Sequence, residues 1–584
     1  MPADLRSALQ SALSAFATTP LREAALGFFR TLGYSNHTGT PSCSRRRPFS
    51  IFPLCWAAAC LLLSACAPRE TLVEQGNRTQ TLHRSIGPDL ADLDPHLASS
   101  LGDIHVLSAL FEGLVAENPA DLSPVPGVAA SWDISADGLV YTFHLRPEAR
   151  WSDGQPLVAA DFVQSVRRAL SPALAAPNAE LLYPVLNAEA FHKARLTDFA
   201  AVGVSAPEPH TLRIALEYPA AHFLALLSHP VWFPVPLHAI SAAGPADTRG
   251  NRWATIPASF VGNGPFVLRE WRRGQAIIAA ASPNYWDAQT VALRSVFFHA
   301  FDSVDAEERA YRAGQLHLTD SLPAGRVEAW RAEHPDQLRT DPFLDVYFYR
   351  FNTTRPFLND GRVRRALSLA LDREALVGAL LRGGQRPATG FVPPGTGGYT
   401  PPIGLRHDID AARALLADAG YPGGAGLPVL DLLYNTSENH RRIAEAVQQQ
   451  WLSTLGVQTR LVNQDFATLL EARRAGDFQI LRSGWVADYD DPVSFLALFT
   501  TGSAQNFTGW SDAAYDQSLY AAARTPDRAA RHALLIAAES RLLEEAPILP
   551  LYVNTHVYLL HPAVRGWSPT RLDRHPLKAV HLAP

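Results

Sequence analysis

Residues 408–482 restrict the possible folds more than any other stretch, because helical and strand-like patterns alternate there. Asp408 or Asp410 can cap the first helix, and Gly420 and Gly456 suit the positions that follow helix ends. The predicted elements are a helix to Gly420, a strand over 428–434, a helix over 438–455, a strand over 457–463, a helix over 467–475 and a strand over 478–482. Such alternation indicates βαβ units, so we predict an α/β fold with a mostly parallel sheet. A further amphipathic helix is predicted over 361–381.

Charged and aromatic side chains come directly after these three strands. They are Arg482, Trp485 and Asp488 after the third strand, His440 after the first and Phe466 after the second. Ligands of parallel sheets bind beyond the carboxyl ends of the strands, so we expect these residues at one ligand-binding edge. An alternative is that Arg482 and Asp488 form a mutual ion pair that closes the turn.

The cysteines indicate where the protein works. All four lie in the first 66 residues, at positions Cys43, Cys55, Cys60 and Cys66. Three arginines at 45–47 precede an apolar stretch over 49–65, which is short for a membrane span and contains Pro53. This pattern is typical of a secretory signal, and its ending "LSAC" resembles a bacterial lipobox with Cys66 as the lipidated residue. The alternative is an uncleaved anchor helix.

These features divide the N-terminal part of the chain. We interpret residues 1–65 as an over-extended N-terminus followed by a lipoprotein signal peptide, and residues 66–79 as the lipidated cysteine and a polar tether. The remaining body is expected to lie outside the cytoplasm, in the periplasm or another extracytoplasmic space, held at the membrane by its lipid anchor.

Composition and motifs exclude several classes of function. The formal net charge of −5 is too small to indicate a nucleic-acid partner. The chain lacks the G-x-x-x-x-G-K-[ST], H-E-x-x-H and G-x-S-x-G motifs of nucleotide-binding, zinc-protease and hydrolase sites. Because the 20 histidines are scattered, we predict no metal and no cofactor. Asp490 and Asp491 could act in acid–base chemistry, but we interpret them as solvated turn acids.

Eight stretches occur in an order that is similar to one protein family. They are "DLDPHLA", "LFEGLV", "PGVAASWDIS", "YTFHLRPEARWSDGQPLVAADFV", "GNGPFVLREW", "RVRRALSLALDRE", "LLYNTSENH" and "GWVADYDDP". From about residue 80 to the C-terminus the chain resembles the peptide- and oligopeptide-binding lipoproteins of bacterial ABC importers, solute-binding protein family 5. The stretch "LRSGWVADYDDPVSFL" most resembles the oligopeptide-binding branch and its murein-peptide relative.

The resemblance implies a periplasmic-binding-protein-like architecture. Two α/β lobes would be joined by a hinge, and an extra domain would be inserted in the first lobe. By this analogy lobe I comprises residues 80–111, 237–299 and 554–584, the inserted domain II comprises 112–236, and lobe III comprises 300–553.

The resemblance also implies the roles of particular residues. Asp488 would pair with the α-ammonium group of a peptide, and Arg482 would pair with the peptide's carboxylate. His440 would help to bind the carboxylate of peptides of another length. Arg473 matches a further basic position, although the predicted topology does not bring it to the ligand edge. Trp485 and Phe466 would line a side-chain pocket. An acidic wall residue of the family aligns with Ser99, which puts a preference for basic side chains in doubt.

We therefore predict a monomeric, non-enzymatic peptide receptor that serves the permease and ATPase subunits of an ABC importer. Within the binding class, the alternatives are murein peptide, dipeptide, a nickel complex or haem as the cargo. The enzymatic alternative is an envelope peptidase that uses an acid pair. A third alternative is a structural or signalling lipoprotein that has lost ligand binding.

Overall fold

The computed structural model describes residues 70–584, apart from residues 119, 403 and 405. The signal peptide and Cys66 predicted above lie outside the described residues. Residues 70–584 form one compact unit. None of the helices described there is both long enough and apolar enough to cross a membrane.

The strands and helices of the described residues are numbered here in chain order. The strands are β1 (Thr81–Ser85), β2 (Val115–Glu117), β3 (Pro124–Pro126), β4 (Ala129–Ile134), β5 (Val140–Leu145), β6 (Val204–Glu208), β7 (Thr211–Ala215), β8 (Phe266–Arg272), β9 (Ala276–Ala281), β10 (Ser295–His299), β11 (Leu338–Phe351), β12 (Arg386–Pro387), β13 (Leu430–Asn435), β14 (Thr459–Gln464), β15 (Ile480–Val486), β16 (Ile548–Leu559), β17 (Val564–Arg565) and β18 (His581–Leu582). The α-helices are α1 (Leu72–Thr79), α2 (Leu101–Leu110), α3 (Ala159–Ala169), α4 (Ala188–His192), α5 (Phe223–Leu226), α6 (Leu237–Ala243), α7 (Val304–Arg312), α8 (Val327–Glu333), α9 (Gly361–Leu369), α10 (Arg373–Leu380), α11 (Ile409–Asp418), α12 (Glu438–Leu455), α13 (Phe466–Ala475), α14 (Val493–Leu496), α15 (Ala513–Ala523) and α16 (Arg528–Glu545).

Two four-stranded sheets share one hydrophobic core. The first sheet has the strand order β1-β10-β9-β8, and the second has the antiparallel order β4-β5-β7-β6. Side chains from both sheets, such as Phe298 and Phe143, belong to the same buried cluster. The strands of these sheets fall within the residues assigned above to lobe I and domain II, whose boundaries remain predictions.

The third sheet has six strands in the order β12-β16-β11-β15-β13-β14. β13 pairs in parallel with β14 and β15, as the βαβ pattern predicts, but β11, β12 and β16 join in antiparallel pairs. The expectation of a mostly parallel sheet is therefore wrong outside the βαβ unit. The two faces of this sheet are covered by separate hydrophobic clusters, one around Trp451 and one around Phe495. The α/β prediction itself is confirmed.

β11 and β16 connect this sheet to the first one. Residues 338–342 of β11 pair with residues 555–559 of β16 outside the six-stranded sheet. A register shift between Pro342 and Val346 separates this part of β11 from the part within the sheet. Leu318 then bridges Leu560 on one side and Arg84 of β1 on the other. β11 and β16 therefore link the six-stranded sheet to the first sheet through Leu318.

Local signals predicted some elements well and others poorly. α12 has the predicted bounds: the Ser437 side chain caps its start, and Gly456 follows its end in a left-handed conformation. The predicted helix over 361–381 is two helices, α9 and α10, because Asp372 caps a new helix start. The predicted tether over 66–79 is also wrong in part, since residues 72–79 form α1 with a capping box between Thr71 and Glu74.

Gly456 offers a direct test of the α12 end. Its φ is 69°, and an added Cβ would lie 2.3 Å from the carbonyl oxygen of Gly423. We expect Gly456→Ala to destabilise the protein by about 2 kcal/mol or more, because left-handed strain and a backbone clash add. Gly476→Ala is the matched control: its φ is 67°, but its nearest neighbour lies at 3.8 Å. Urea unfolding should give the control a cost of only about 1 kcal/mol, and equal costs would contradict the clash.

Candidate functional site

One edge of β15 is open over residues 482–486. β11 pairs with β15 from Ile480 to Val486, whereas β13 on the other side reaches only Ile480 and Leu481. The N–H of Ala487 donates to Leu344 of β11. Because backbone groups alternate in direction along a strand, those of Arg482, Gly484 and Val486 point away from β11. The strand therefore presents a free edge to which an extended chain could add.

This geometry corrects the predicted end of the third strand. β15 continues to Val486, four residues beyond the predicted end at residue 482. Arg482 and Trp485 consequently lie within the strand, and their side chains point to opposite faces of the sheet. Only Asp488 follows the carboxyl end, as predicted.

Arg482 and His440 lie on the same face of the sheet, around Tyr347. The Arg482 guanidinium is 4.8 Å from the centre of the Tyr347 ring, and its Nη1 donates weakly to Asn435 Oδ1 at 3.4 Å. The Nδ1 of His440 is 3.3 Å from the Tyr347 hydroxyl. Burial and the charge of Arg482 lower the pKa of His440 to about 3, so His440 is neutral at physiological pH. Arg482 thus provides the positive charge of this pair.

Asp488 lies just beyond the open edge. Its N–H donates to Ser494 Oγ at 2.8 Å, and its carbonyl oxygen accepts from Arg574. In the described part of the chain no donor forms a hydrogen bond with its carboxylate. Burial raises the pKa of Asp488 to about 7; Arg574 opposes this shift and Glu180 adds to it. The carboxylate is therefore a largely buried acceptor without a partner.

The alternative of an Arg482–Asp488 ion pair is not realised. The ion pairs of residues 70–584, with the three undescribed positions set aside, do not include either side chain. Both groups remain available to a ligand.

Trp485, Phe466 and Arg473 lie on the other side of β15. The Trp485 indole N–H donates to the Ser494 carbonyl at 2.9 Å, which holds the ring against the cluster around Phe495. Phe466 is the first residue of α13 and is 56% exposed. Arg473 is in the last turn of the same helix. Ser99 is exposed, and its N–H donates to Asp103.

Asp490 and Asp491 are not solvated turn acids, so this interpretation was wrong. Asp491 is buried and accepts two hydrogen bonds of 2.8 Å from Arg531. Asp490 accepts from the Gly397 N–H at 2.7 Å and lies 3.4 Å from Arg571. Both carboxylates form contacts with other parts of the fold, and this gives no support to a catalytic acid pair.

The match to known proteins agrees with this geometry. The family model for the middle region of bacterial extracellular solute-binding proteins, family 5, matches residues 123–507, which is more than half of the chain. This chain belongs to that family. The family 5 architecture predicted from the sequence, two α/β lobes with a hinge and an inserted domain, is thereby confirmed.

Several family 5 relatives are named for what they bind. The periplasmic oligopeptide-binding protein OppA of Escherichia coli K12 is 36% identical over 500 residues, covering 84% of this chain and 90% of that protein. The structure of the murein tripeptide binding protein MppA of Escherichia coli has 35% identity and a TM-score of 0.78, covering 86% of this chain and 98% of that one. The unliganded open form of MppA gives a TM-score of 0.67, with coverage of 88% and 99%.

Sequence reasoning missed the residues that reach this site from other parts of the family 5 fold. Arg574 is buried near the C-terminus and joins Glu117, Ser228 and the Asp488 carbonyl. Glu180 lies close enough to Asp488 to raise its pKa. Neither belongs to a recognisable local motif, and both approach Asp488 only through long-range packing. Periodicity could not have identified them.

Proposed function

We propose that the protein is the substrate-binding receptor of a peptide ABC importer, which captures oligopeptides between its lobes and delivers them to a membrane permease. One observation carries this proposal: the open edge of β15 lies between the unpaired carboxylate of Asp488 and the guanidinium of Arg482. A peptide has one ammonium group, one carboxylate and a row of amides between them. The site offers a complementary group for each.

The proposed binding mode separates the constant parts of a peptide from its variable parts. The backbone of the peptide would add to β15 as an extra strand, with its ammonium group toward Asp488 and its carboxylate toward Arg482. Each charge-assisted hydrogen bond would contribute about 1.5–3 kcal/mol. The side chains would enter roomier spaces on the two faces, such as that beside Trp485 and Phe466.

The contacts between lobes support a closing motion around the ligand. Tyr489 stacks on His222 with ring centres 5.2 Å apart, and the Arg571 guanidinium lies 3.4 Å from the Asp490 carboxylate. With the predicted domain boundaries, these contacts would join the two sides of the cleft, and the TM-score against the open form of MppA is the lower one. A peptide that touches both sides would favour this closed state, because it binds that state better.

The proposal includes a place in the cell. Cys66 would carry the lipid anchor, and α1 would begin the folded body six residues later. Relatives such as OppA are named as periplasmic proteins. The receptor would thus be tethered outside the cytoplasm, act without catalysis and need no cofactor.

Native mass spectrometry of the protein purified from its own host without denaturation tests this function. We expect a ladder of bound masses that match peptides of a few residues, and we expect the ladder to disappear in Asp488→Ala. The protein mass should correspond to a chain that starts at Cys66 with acyl groups attached. A single non-peptide mass would assign another cargo, and the absence of any bound mass, with no thermal shift across a peptide library, would refute peptide binding.

A further inference from the structure

Two arginines meet on the Trp485 face of β15. Arg350 of β11 is 1% exposed; its Nε donates to Ser483 Oγ at 3.0 Å and its Nη1 donates to the Gln505 carbonyl at 2.9 Å. Arg473 reaches the same place from the last turn of α13. Their guanidinium carbons lie 5.6 Å and 4.5 Å from the centre of one ring, that of Phe507.

Among the residues that the structure describes, neither arginine has an acidic partner. Across residues 70–584 without the three undescribed positions, no carboxylate forms an ion pair or a hydrogen bond with Arg350 or Arg473, and the buried Nε of Arg473 has no acceptor. Burial, and then the charge of Arg473, lower the pKa of Arg350 to about 9. The pKa of Arg473 is lowered by burial and by Arg474. Arg350 is buried and Arg473 is half-buried, and two like charges so placed without a counter-ion are costly, so the pair favours an anion.

The pair lies where a ligand side chain would enter. Ser483 and Trp485 share one face of β15, and Arg350 bonds to Ser483. On α13, Phe466, Leu470 and Arg473 are spaced to share one helix face, with the exposed Phe466 at its start. A strand added at the open edge would direct alternate side chains toward this face.

We propose that Arg350 and Arg473 form a side-chain subsite that selects peptides with an Asp or Glu residue, an inference that rests on the proposed peptide-binding function. The guanidinium groups would bind the side-chain carboxylate with charge-assisted hydrogen bonds. Trp485 and Phe507 would pack against its methylene groups. The pocket would thus narrow a broad peptide specificity at one position of the bound peptide.

Isothermal titration calorimetry with a tripeptide series tests the subsite. Glu is placed in turn at each position of trialanine, and each peptide is compared with its Gln and Lys counterparts. We expect Glu to bind at least tenfold more tightly than Gln at one position, and Lys to bind more weakly than Gln there. Arg473→Gln and Arg350→Gln should each reduce the Glu/Gln affinity ratio at that position to below threefold. Arg474→Gln, an exposed neighbour on α13, should retain the full ratio.

The outcomes separate this inference from the proposed function. If neutral tripeptides bind but Glu shows no advantage at any position, the acidic subsite is refuted and peptide binding stands. An unchanged Glu/Gln ratio in Arg473→Gln also refutes it. If no tripeptide or longer peptide binds, both proposals fail. Because Arg350 is buried, melting curves are recorded for every variant to check that it folds. If Arg350→Gln does not fold, the Glu/Gln ratio of Arg473→Gln alone tests the subsite.

Discussion

Replacing Asp488 by Asn is expected to weaken peptide binding at least about thirtyfold while it raises the melting temperature of the ligand-free protein. The Asp488 carboxylate is largely buried, and no group in the described residues donates to it. With a peptide bound, it would face an ammonium group, and removing one partner of such a buried pair costs about 2–5 kcal/mol. Without peptide, its charge is uncompensated, so the neutral amide should raise the melting temperature by about 2 °C or more.

The pH dependence of the same residue follows from its raised pKa. The pKa of Asp488 is about 7 in the folded protein, against an ordinary value of about 4. The stability that the neutral carboxyl contributes is present below about pH 4 and is lost as the pH rises to about 7. In the proposed binding mode the charged carboxylate pairs with the peptide's ammonium group, so affinity should rise from pH 5.5 to pH 8. In Asp488→Asn, the contribution of the Asp488 carboxyl to the pH dependence of stability and to that of peptide affinity should both disappear.

Calorimetry with one tripeptide and melting curves without ligand, each at pH 5.5 and pH 8, measure these effects. Ser494→Ala is a suitable control, because it removes a hydrogen bond to the Asp488 backbone but leaves the carboxylate in place. Unchanged peptide affinity in Asp488→Asn would show that the carboxylate does not hold the ammonium group. A lower melting temperature of the ligand-free variant would show that the carboxylate has a structural partner instead.

The sequence was a good guide where structure depends on neighbours in the chain. Ser437 and Gly456 determine both ends of α12, and the βαβ order correctly places β13, β14 and β15 side by side. The end of β15 could not be predicted, because its last residues are ordered by pairing with β11, more than 130 residues earlier. For the same reason the sequence did not reveal that Arg482 and Trp485 point to opposite faces.

In the candidate site, too, the sequence indicates features that depend on neighbouring residues and misses those that depend on distant ones. Asp488, Arg482 and His440 are proposed as ligand-binding residues from motifs that lie within a few residues of each of them. Arg473 was named only through the family resemblance, and Arg350 was not named, because nothing in the sequence distinguishes it from other charged strand residues and its hydrogen bonds go to the distant Ser483 and Gln505. The interpretation of Asp491 was wrong because its partner, Arg531, follows 40 residues later on α16. Charge pairing across long separations leaves no periodic signal in a single sequence.

The Asp491–Arg531 pair leads to the largest expected loss of stability. The two side chains are only 10% and 6% exposed and are joined by two parallel hydrogen bonds of 2.8 Å. Asp491→Ala or Arg531→Met leaves one buried charge unpaired, which costs about 3–5 kcal/mol. The double variant should recover a large part of this loss, because no isolated charge remains. Asp490→Asn, with a more exposed and longer contact to Arg571, should cost no more than about 1 kcal/mol.

Urea unfolding of the two single variants, the double variant and Asp490→Asn measures these differences. A loss below about 1 kcal/mol in both single variants would contradict the buried pair. The same proteins also test the enzymatic alternative, which requires that Asp490→Asn abolish a measurable peptidase turnover. If the Asp491–Arg531 pair contributes only to stability, the single variants should lose peptide affinity only as far as they lose folded protein. If Asp491 also holds the turn that presents Asp488, their affinity should fall under conditions in which the variants are fully folded, whereas Asp490→Asn should keep an affinity close to that of the wild type.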